Sequence, residues 1–131
     1  MLVSLTRLSV IKGATSEYVD AINDIRILDG VAHVPARSSI SVSGWAVDSG
    51  SATPAAAVRI DIEGKLYQVR YGISRPDVAS VLKVPAYNPS GYEAIIPASD
   101  IGTGLHRLTP KIVNHDRSGY YVGRSIQFDY R

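Results

Sequence analysis

Apolar and polar residues alternate along most of this chain with a period of two. Ile40, Val42, Gly44 and Ala46 fall on one face of an expected strand, and Trp45 and Val47 on the other. Val58, Ile60 and Ile62 repeat the pattern with Arg59 and Asp61 opposite. Glu63-Gly64 then supplies a turn in which glycine can take a positive φ. Tyr67, Val69 and Tyr71 return along the inner face of the hairpin. Successive side chains of a strand point to opposite faces, so this period marks half-buried antiparallel strands.

The same reading extends on either side. Ile25 and Ile27 alternate with Asp24 and Arg26 before a turn at Asp29-Gly30. Tyr92 to Ile96 is a strand ended by Pro97, and Asp100 to Gly104 a turn. Leu105 to Val113 is a strand in which Pro110, lacking an N–H, marks an edge or a bulge. Asn114 to Gly119 is a polar loop, and Ile126, Phe128 and Tyr130 are in phase in a last strand or pair of strands. The interruption is Ser74 to Leu82, a helix of about two turns. Ser74 and Asp77 have capping-box spacing and Pro76 suits a first turn, although the residue before a proline avoids helical angles and Arg75 is a second candidate cap. The sum is an all-β, antiparallel, immunoglobulin-like β-sandwich of about seven strands with one short helix. Residues 1–21 read as an N-terminal arm or linker able to add one strand, and residues 22–131 as the sandwich domain.

The 131 residues suffice for one domain with its own core. Cysteine is absent, which excludes disulfides, thiolate metal sites and a cysteine nucleophile. Fourteen Lys and Arg against twelve Asp and Glu give a net charge of +2, with no block of like charge. Nucleic-acid binding would need a basic stripe, so no nucleic-acid partner is expected. No segment approaches the ~20 apolar residues of a membrane span, so no membrane insertion is expected. The first seven residues lack a signal-peptide plan.

Chemistry-bearing motifs are scarce. No Gly-x-Ser-x-Gly elbow is present, and Ser80-Val81-Leu82-Lys83 lacks the partner motifs of a Ser-x-x-Lys enzyme. Asp61 and Glu63 lie at one hairpin end rather than across a cleft. No phosphate-binding glycine pattern appears, and His33, His106 and His115 lack metal-ligand spacing. The expectation from these absences is a chain that is not an enzyme and that has no cofactor, metal or catalytic residue.

The order Gly44-Trp45-Ala46-x-Asp48, Tyr71-Gly72, Arg75-Pro76-Asp77-Val78-Ala79, Ser90-Gly91-Tyr92 and Gly104-x-His106-x-Leu108 resembles an immunoglobulin-like accessory domain of large bacterial proteins. Such domains stand beside glycosyltransferase, glycan-processing or other cell-envelope modules. The resemblance implies a β-sandwich that is part of a larger chain in an extracytoplasmic or cell-envelope setting. It implies an accessory module for carbohydrate or a cell-envelope partner, or alternatively a spacer or interaction domain that positions a neighbouring enzyme. It brings no catalytic residues.

Two groups of residues stand out within that frame. Trp45 could stack on a sugar ring, but its alternating neighbours favour a core position between the sheets. Asp48, Arg75 and Asp77 are read as structural, with an Arg–carboxylate fork tying the helix to the strand-end loop and Asp77 capping the helix. Tyr87, Asn88, Tyr92, Tyr120 and Tyr121 lie in or beside loops. Such amphipathic side chains suit recognition, so these five are the candidate ligand-binding residues.

Overall fold

The computed structural model describes Leu5, residues 8–28 and residues 30–131. Asp29 of the expected Asp29-Gly30 turn, and residues 1–4, 6 and 7 of the expected arm, lie outside the described residues. Thirteen strand segments follow in chain order: β1 (Ser9–Val10), β2 (Glu17–Ile22), β3 (Ile25–Arg26), β4 (Ala32–Val34), β5 (Ser39–Asp48), β6 (Thr53–Pro54), β7 (Ala57–Ile62), β8 (Lys65–Gln68), β9 (Arg70–Ser74), β10 (Pro89–Pro97), β11 (Gly104–Val113), β12 (Gly119–Val122) and β13 (Ile126–Tyr130). Helix α1 (Pro76–Leu82) sits between β9 and β10.

The strands form two sheets, and the protein is an all-β sandwich. One sheet runs β3-β2-β5-β10-β9, with β6 on the end of β5. In the other, β11 is central. It pairs with β7 on one side, and β7 with β8; on the other side β13 lies opposite the first half of β11 and β12 opposite its end. The short β1 and β4 run parallel to β12 and β13. The segment count exceeds the expected seven because two-residue bridges join the edges and because long strands break.

The period of two explains the core. Val19 and Ile22 of β2, Ile40 and Val42 of β5, and Tyr92, Ala94 and Ile96 of β10 face inward from one sheet. Ile60, Ile62, Leu108, Ile112 and Phe128 face them from the other. Each such side chain removed from water contributes about 1.5–3 kcal/mol before entropy is charged against it. β2 crosses the expected boundary at residue 22 and lies wholly within its sheet, paired with β5.

Two local features depart from the sequence reading, and a third decides between its alternatives. Asn23 and Asp24 both take positive φ (48° and 66°) and close a hairpin between β2 and β3, where the sequence pattern runs on as one strand. The return strand of the central hairpin changes sheets at Val69. β8 pairs with β7, whereas β9 pairs with β10 of the opposite sheet. Pro110 lies in the interior strand β11, so of the two expected settings the edge falls and the bulge stands: Thr109 and Pro110 face the three residues Gly123, Arg124 and Ser125. The Pro110 carbonyl accepts from Gly123 N at 2.7 Å, in the gap between β12 and β13, so its missing N–H falls where the ladder is already broken. Among the described residues, no helix is long and apolar enough to cross a membrane.

Candidate functional site

Arg75 organises the outer face of the β2-β5-β10-β9 sheet. The chain leaves β9 and turns into α1 at Arg75-Pro76. Arg75 is the N-cap residue with φ −137°, and Pro76 opens the first turn. No side chain caps the helix, so neither Ser74 nor Asp77 does so. The Arg75 N–H donates to Asn88 O at 2.7 Å, which ties the helix start to the head of β10.

The Arg75 side chain then lies over Gly91 and reaches across β5 to β2. A Cβ on Gly91 would stand 2.9 Å from both Arg75 Cγ and Ile73 O, so the path exists because residue 91 has no side chain. Arg75 Nε and Nη2 donate to Asp77 Oδ1 and Oδ2 at 2.9 and 2.8 Å. Nη1 donates to Asp20 Oδ2 at 2.7 Å. The two-pronged bond to Arg75 holds the Asp77 carboxyl down at about 2, and the same bonds push the Arg75 guanidinium up. Arg75 and Asp77 are therefore charged throughout the physiological range. Asp48 is not part of this cluster; the second carboxylate is Asp20, whose position on β2 gave no signal of its pairing.

Trp45 also faces outward, which corrects its expected place between the sheets. The inward face of β5 at this point belongs to Gly44 and Ala46. A Cβ at Gly44 would lie 2.2 Å from Tyr18 O and 2.7 Å from the Tyr92 hydroxyl, so no large side chain fits there. Trp45 instead joins a second apolar cluster on Val47, Val78 and Tyr87, with Leu82 and Val84 beside it. It remains half-buried. Beside it is a hollow of about 140 Å³ lined by Trp45, Asp77, Val78, Val81 and Leu82. Val81 is 77% exposed at its rim.

Asp48 is 4% exposed and joins the two sheets at the end of β5. Its Oδ1 accepts from Tyr121 OH at 3.0 Å and Gly50 N at 3.1 Å, and its Oδ2 from His115 N at 2.8 Å. Burial pushes the carboxyl up, but the bonds from His115, Tyr121, Ser51 and Gly50 outweigh burial and hold it below its ordinary value.

The five candidate contact residues do not form a surface. Tyr87, Tyr92 and Tyr121 are buried, at 6%, 2% and 9% exposure. Tyr87 packs under Trp45, Tyr92 lies in the main core, and Tyr121 is bonded to Asp48. Loop position in the sequence misled here, because the 3₁₀ turn Pro85–Tyr87 and the early start of β10 turn these rings inward. Asn88 and Tyr120 stay half-exposed: Asn88 accepts from Ser74 Oγ at 3.2 Å, and Tyr120 lies under the Lys111 ammonium. Among the described residues, no three His, Cys, Asp or Glu side chains converge to hold a metal.

Residues the sequence reading missed surround Arg75. A hollow of about 290 Å³ is lined by Asp20, Ser43, Arg70, Arg75, Gly91 and Glu93, among others. Their signal was the outward phase of each strand: Ser43 beside Trp45 on β5, Glu93 beside Gly91 on β10. Register shows that Glu93 stands opposite both Ser43 and Arg70. Chemically, the face offers fixed carboxylates, guanidinium N–H groups and the Trp45 ring.

No family model and no curated protein matches the chain. A solved structure does: the endo-β-1,4-mannanase from Thermotoga petrophila, with a TM-score of 0.50 and 12% identity over 92% of this chain. The chain spans only 21% of that protein's length. At this identity the likeness shows a shared fold. It also corrects the expectation that the chain is not an enzyme, since the fold occurs within one. The sequence argument had relied on missing linear motifs, whereas tertiary structure can assemble catalytic groups from distant positions.

Proposed function

We propose that this chain is an immunoglobulin-like accessory module of a larger protein, binding carbohydrate through the outer face of its β2-β5-β10-β9 sheet. The observation that carries this reading is Trp45, half-buried on a sheet face beside a hollow and next to the Arg75–Asp77 fork. An aromatic ring offers a sugar its apolar face, and fixed charged groups orient hydroxyls by charge-assisted hydrogen bonds. The immunoglobulin-like assignment is supported by strand order. β2-β5-β10-β9 opposite β8-β7-β11-β13 corresponds to the ABED and CFG sheets of that fold with one added strand. The match to about a fifth of a mannanase supports the modular reading and makes β-1,4-mannan a first ligand to try.

Affinity electrophoresis in gels containing β-1,4-mannan or other soluble polysaccharides tests the proposal. Retardation by at least one polysaccharide, lost in Trp45→Ala with the fold intact by circular dichroism, is the expected result. Unretarded migration in every gel refutes it.

A further inference from the structure

We propose that the ligand is a neutral, linear glycan that lies along the sheet face as an extended chain from Trp45 to Ile95. This inference rests on the carbohydrate reading above and adds the ligand's charge, its length and its path.

Three hollows adjoin one another on this face. The first, beside Trp45, is separated from the second by the Arg75–Asp77 pair, since Asp77 lines the first and Arg75 the second. The second shares Arg70 and Glu93 with a third, of about 490 Å³, which continues to Gln68, Val69 and Ile95. The first two, at about 140 and 290 Å³, fall below the ~300–1,000 Å³ of an ordinary small-molecule cleft. Joined, they make a track.

Strand register gives the track its direction. Trp45, Ser43 and Ser41 follow one another on the outer face of β5, opposite Gly91, Glu93 and Ile95 of β10. Four residues at a rise of about 3.4 Å separate the ends by about 14 Å, enough for a run of about three sugar rings. Apolar groups stand at both ends, Trp45 and the 58% exposed Ile95, with polar heads between them.

The charge of the track selects the ligand. Asp20, Asp77 and Glu93 oppose Arg70 and Arg75, so the face has no surplus of positive charge with which to hold an acidic polysaccharide. Among the described residues, the ion pairs on this face are those of Arg75 with Asp20 and Asp77. The guanidinium of Arg70 and the carboxylate of Glu93 keep their donors and acceptors for hydroxyls. A peptide strand is disfavoured for a separate reason. β5 is an interior strand, and β10 is flanked by β5 and β9 as far as Glu93, so over that stretch the backbone is already paired and recognition falls to side chains.

Isothermal titration of the 131-residue chain with gluco- and manno-configured β-1,4-linked oligosaccharides of one to six units tests this, with oligogalacturonates as the acidic counterpart. Affinity should rise about tenfold or more from the shortest to the longest neutral oligosaccharide and then level off. The acidic series should bind more weakly at every length. Arg70→Ala and Ile95→Ala, both at exposed positions, should weaken the longest oligosaccharides more than the shortest and so cut the gain from length. Amide chemical shifts of the unmodified protein should move at Trp45, Glu93 and Ile95 together. Affinity independent of length, or shifts confined to residues near Trp45, would overturn the track while leaving carbohydrate binding intact. Tighter binding of the acidic series would overturn its neutrality. No binding in any arm, with unretarded migration in the polysaccharide gels, would remove both proposals.

Discussion

Removing the Asp48 carboxylate should loosen the joint between the two sheets. Three donors meet this one side chain: Tyr121 OH and Gly50 N at Oδ1, His115 N at Oδ2. Asp48 ends β5, Tyr121 lies on β12, and His115 belongs to the loop between β11 and β12, so the bonds span the sandwich. A hydrogen bond to a charged group contributes about 1.5–3 kcal/mol, and a buried donor left without a partner costs about 1–3 kcal/mol. Gly50 and His115 are exposed residues whose N–H groups water can reach, whereas Tyr121 is 9% exposed. Asp48→Asn can keep the two bonds at Oδ1 but must turn an NH₂ toward His115 N. Its expected cost is about 2 kcal/mol, the value of one charge-assisted bond. Asp48→Ala abandons all three and strands the Tyr121 hydroxyl, with an expected cost of about 3 kcal/mol.

Urea unfolding read by circular dichroism checks both values, with an unchanged m showing that stability alone has moved. A cycle with Tyr121→Phe should return a coupling of about 1 kcal/mol or more, since the two side chains share a bond. The pH dependence has a defined sign. Folding lowers the Asp48 carboxyl below 3.8, so its stabilisation is complete above that value and fades as pH falls through the lower folded value. The gap between the natural protein and Asp48→Ala should thus be constant from pH 7 to about 5 and narrow below about 4. A cost under about 0.5 kcal/mol, or zero coupling to Tyr121, would refute the reasoning.

Three other outcomes follow from the same structure. Arg75→Ala should lower stability by about 1–2 kcal/mol, read as a melting temperature lower by several degrees, and Arg75→Lys should not restore it because a point charge cannot fork. An unchanged melting temperature would deny Arg75 its clamping role. Gly44→Ala should cost about 3 kcal/mol or more, because the new methyl meets backbone at Tyr18 O and the Tyr92 ring together; near-normal stability in urea would show that β2 can step aside. Burial raises the Glu17 carboxyl despite the bond from Arg124 N, so the charged form burdens the fold, and that burden builds as pH rises from 4.5 through the folded value and is constant above it. Glu17→Gln should therefore raise the melting temperature at pH 7 and lose the advantage near pH 4, and an equal effect at both would count against the assignment.

Much of the fold was legible because a strand's side chains alternate and the sandwich buries one face of each sheet. The hairpin at Glu63-Gly64, the strand through Trp45 and the phase of Ile126, Phe128 and Tyr130 all follow from that single period. The crossing of the chain between sheets at Val69 did not follow. An inward residue is equally buried whichever sheet its neighbours join, so alternation is silent about partners. Pro110 left a choice between an edge and a bulge for a related reason: a missing N–H is tolerated at any break in a ladder, and the break between β12 and β13 is a property of the assembled sheet.

The candidate site divides in the same way. Arg75, Asp77 and Trp45 were visible as residues of interest from the chain alone, because Arg-Pro-Asp opens a helix and the sole tryptophan stands within an alternating strand. Their arrangement was not visible. Asp20 lies 55 positions from Arg75, and only the pairing of β2 with β5 and of β5 with β10 brings it under the guanidinium. The side of the sheet on which Trp45 sits was settled by the Tyr18 carbonyl and the Tyr92 ring, which leave room at residue 44 for hydrogen alone. The sequence by itself determined the period, the turns and hence an all-β sandwich. The tertiary structure decided which face of each strand met the other sheet and which met water, because that choice depends on the volume available between the sheets and not on the order of residues along one strand.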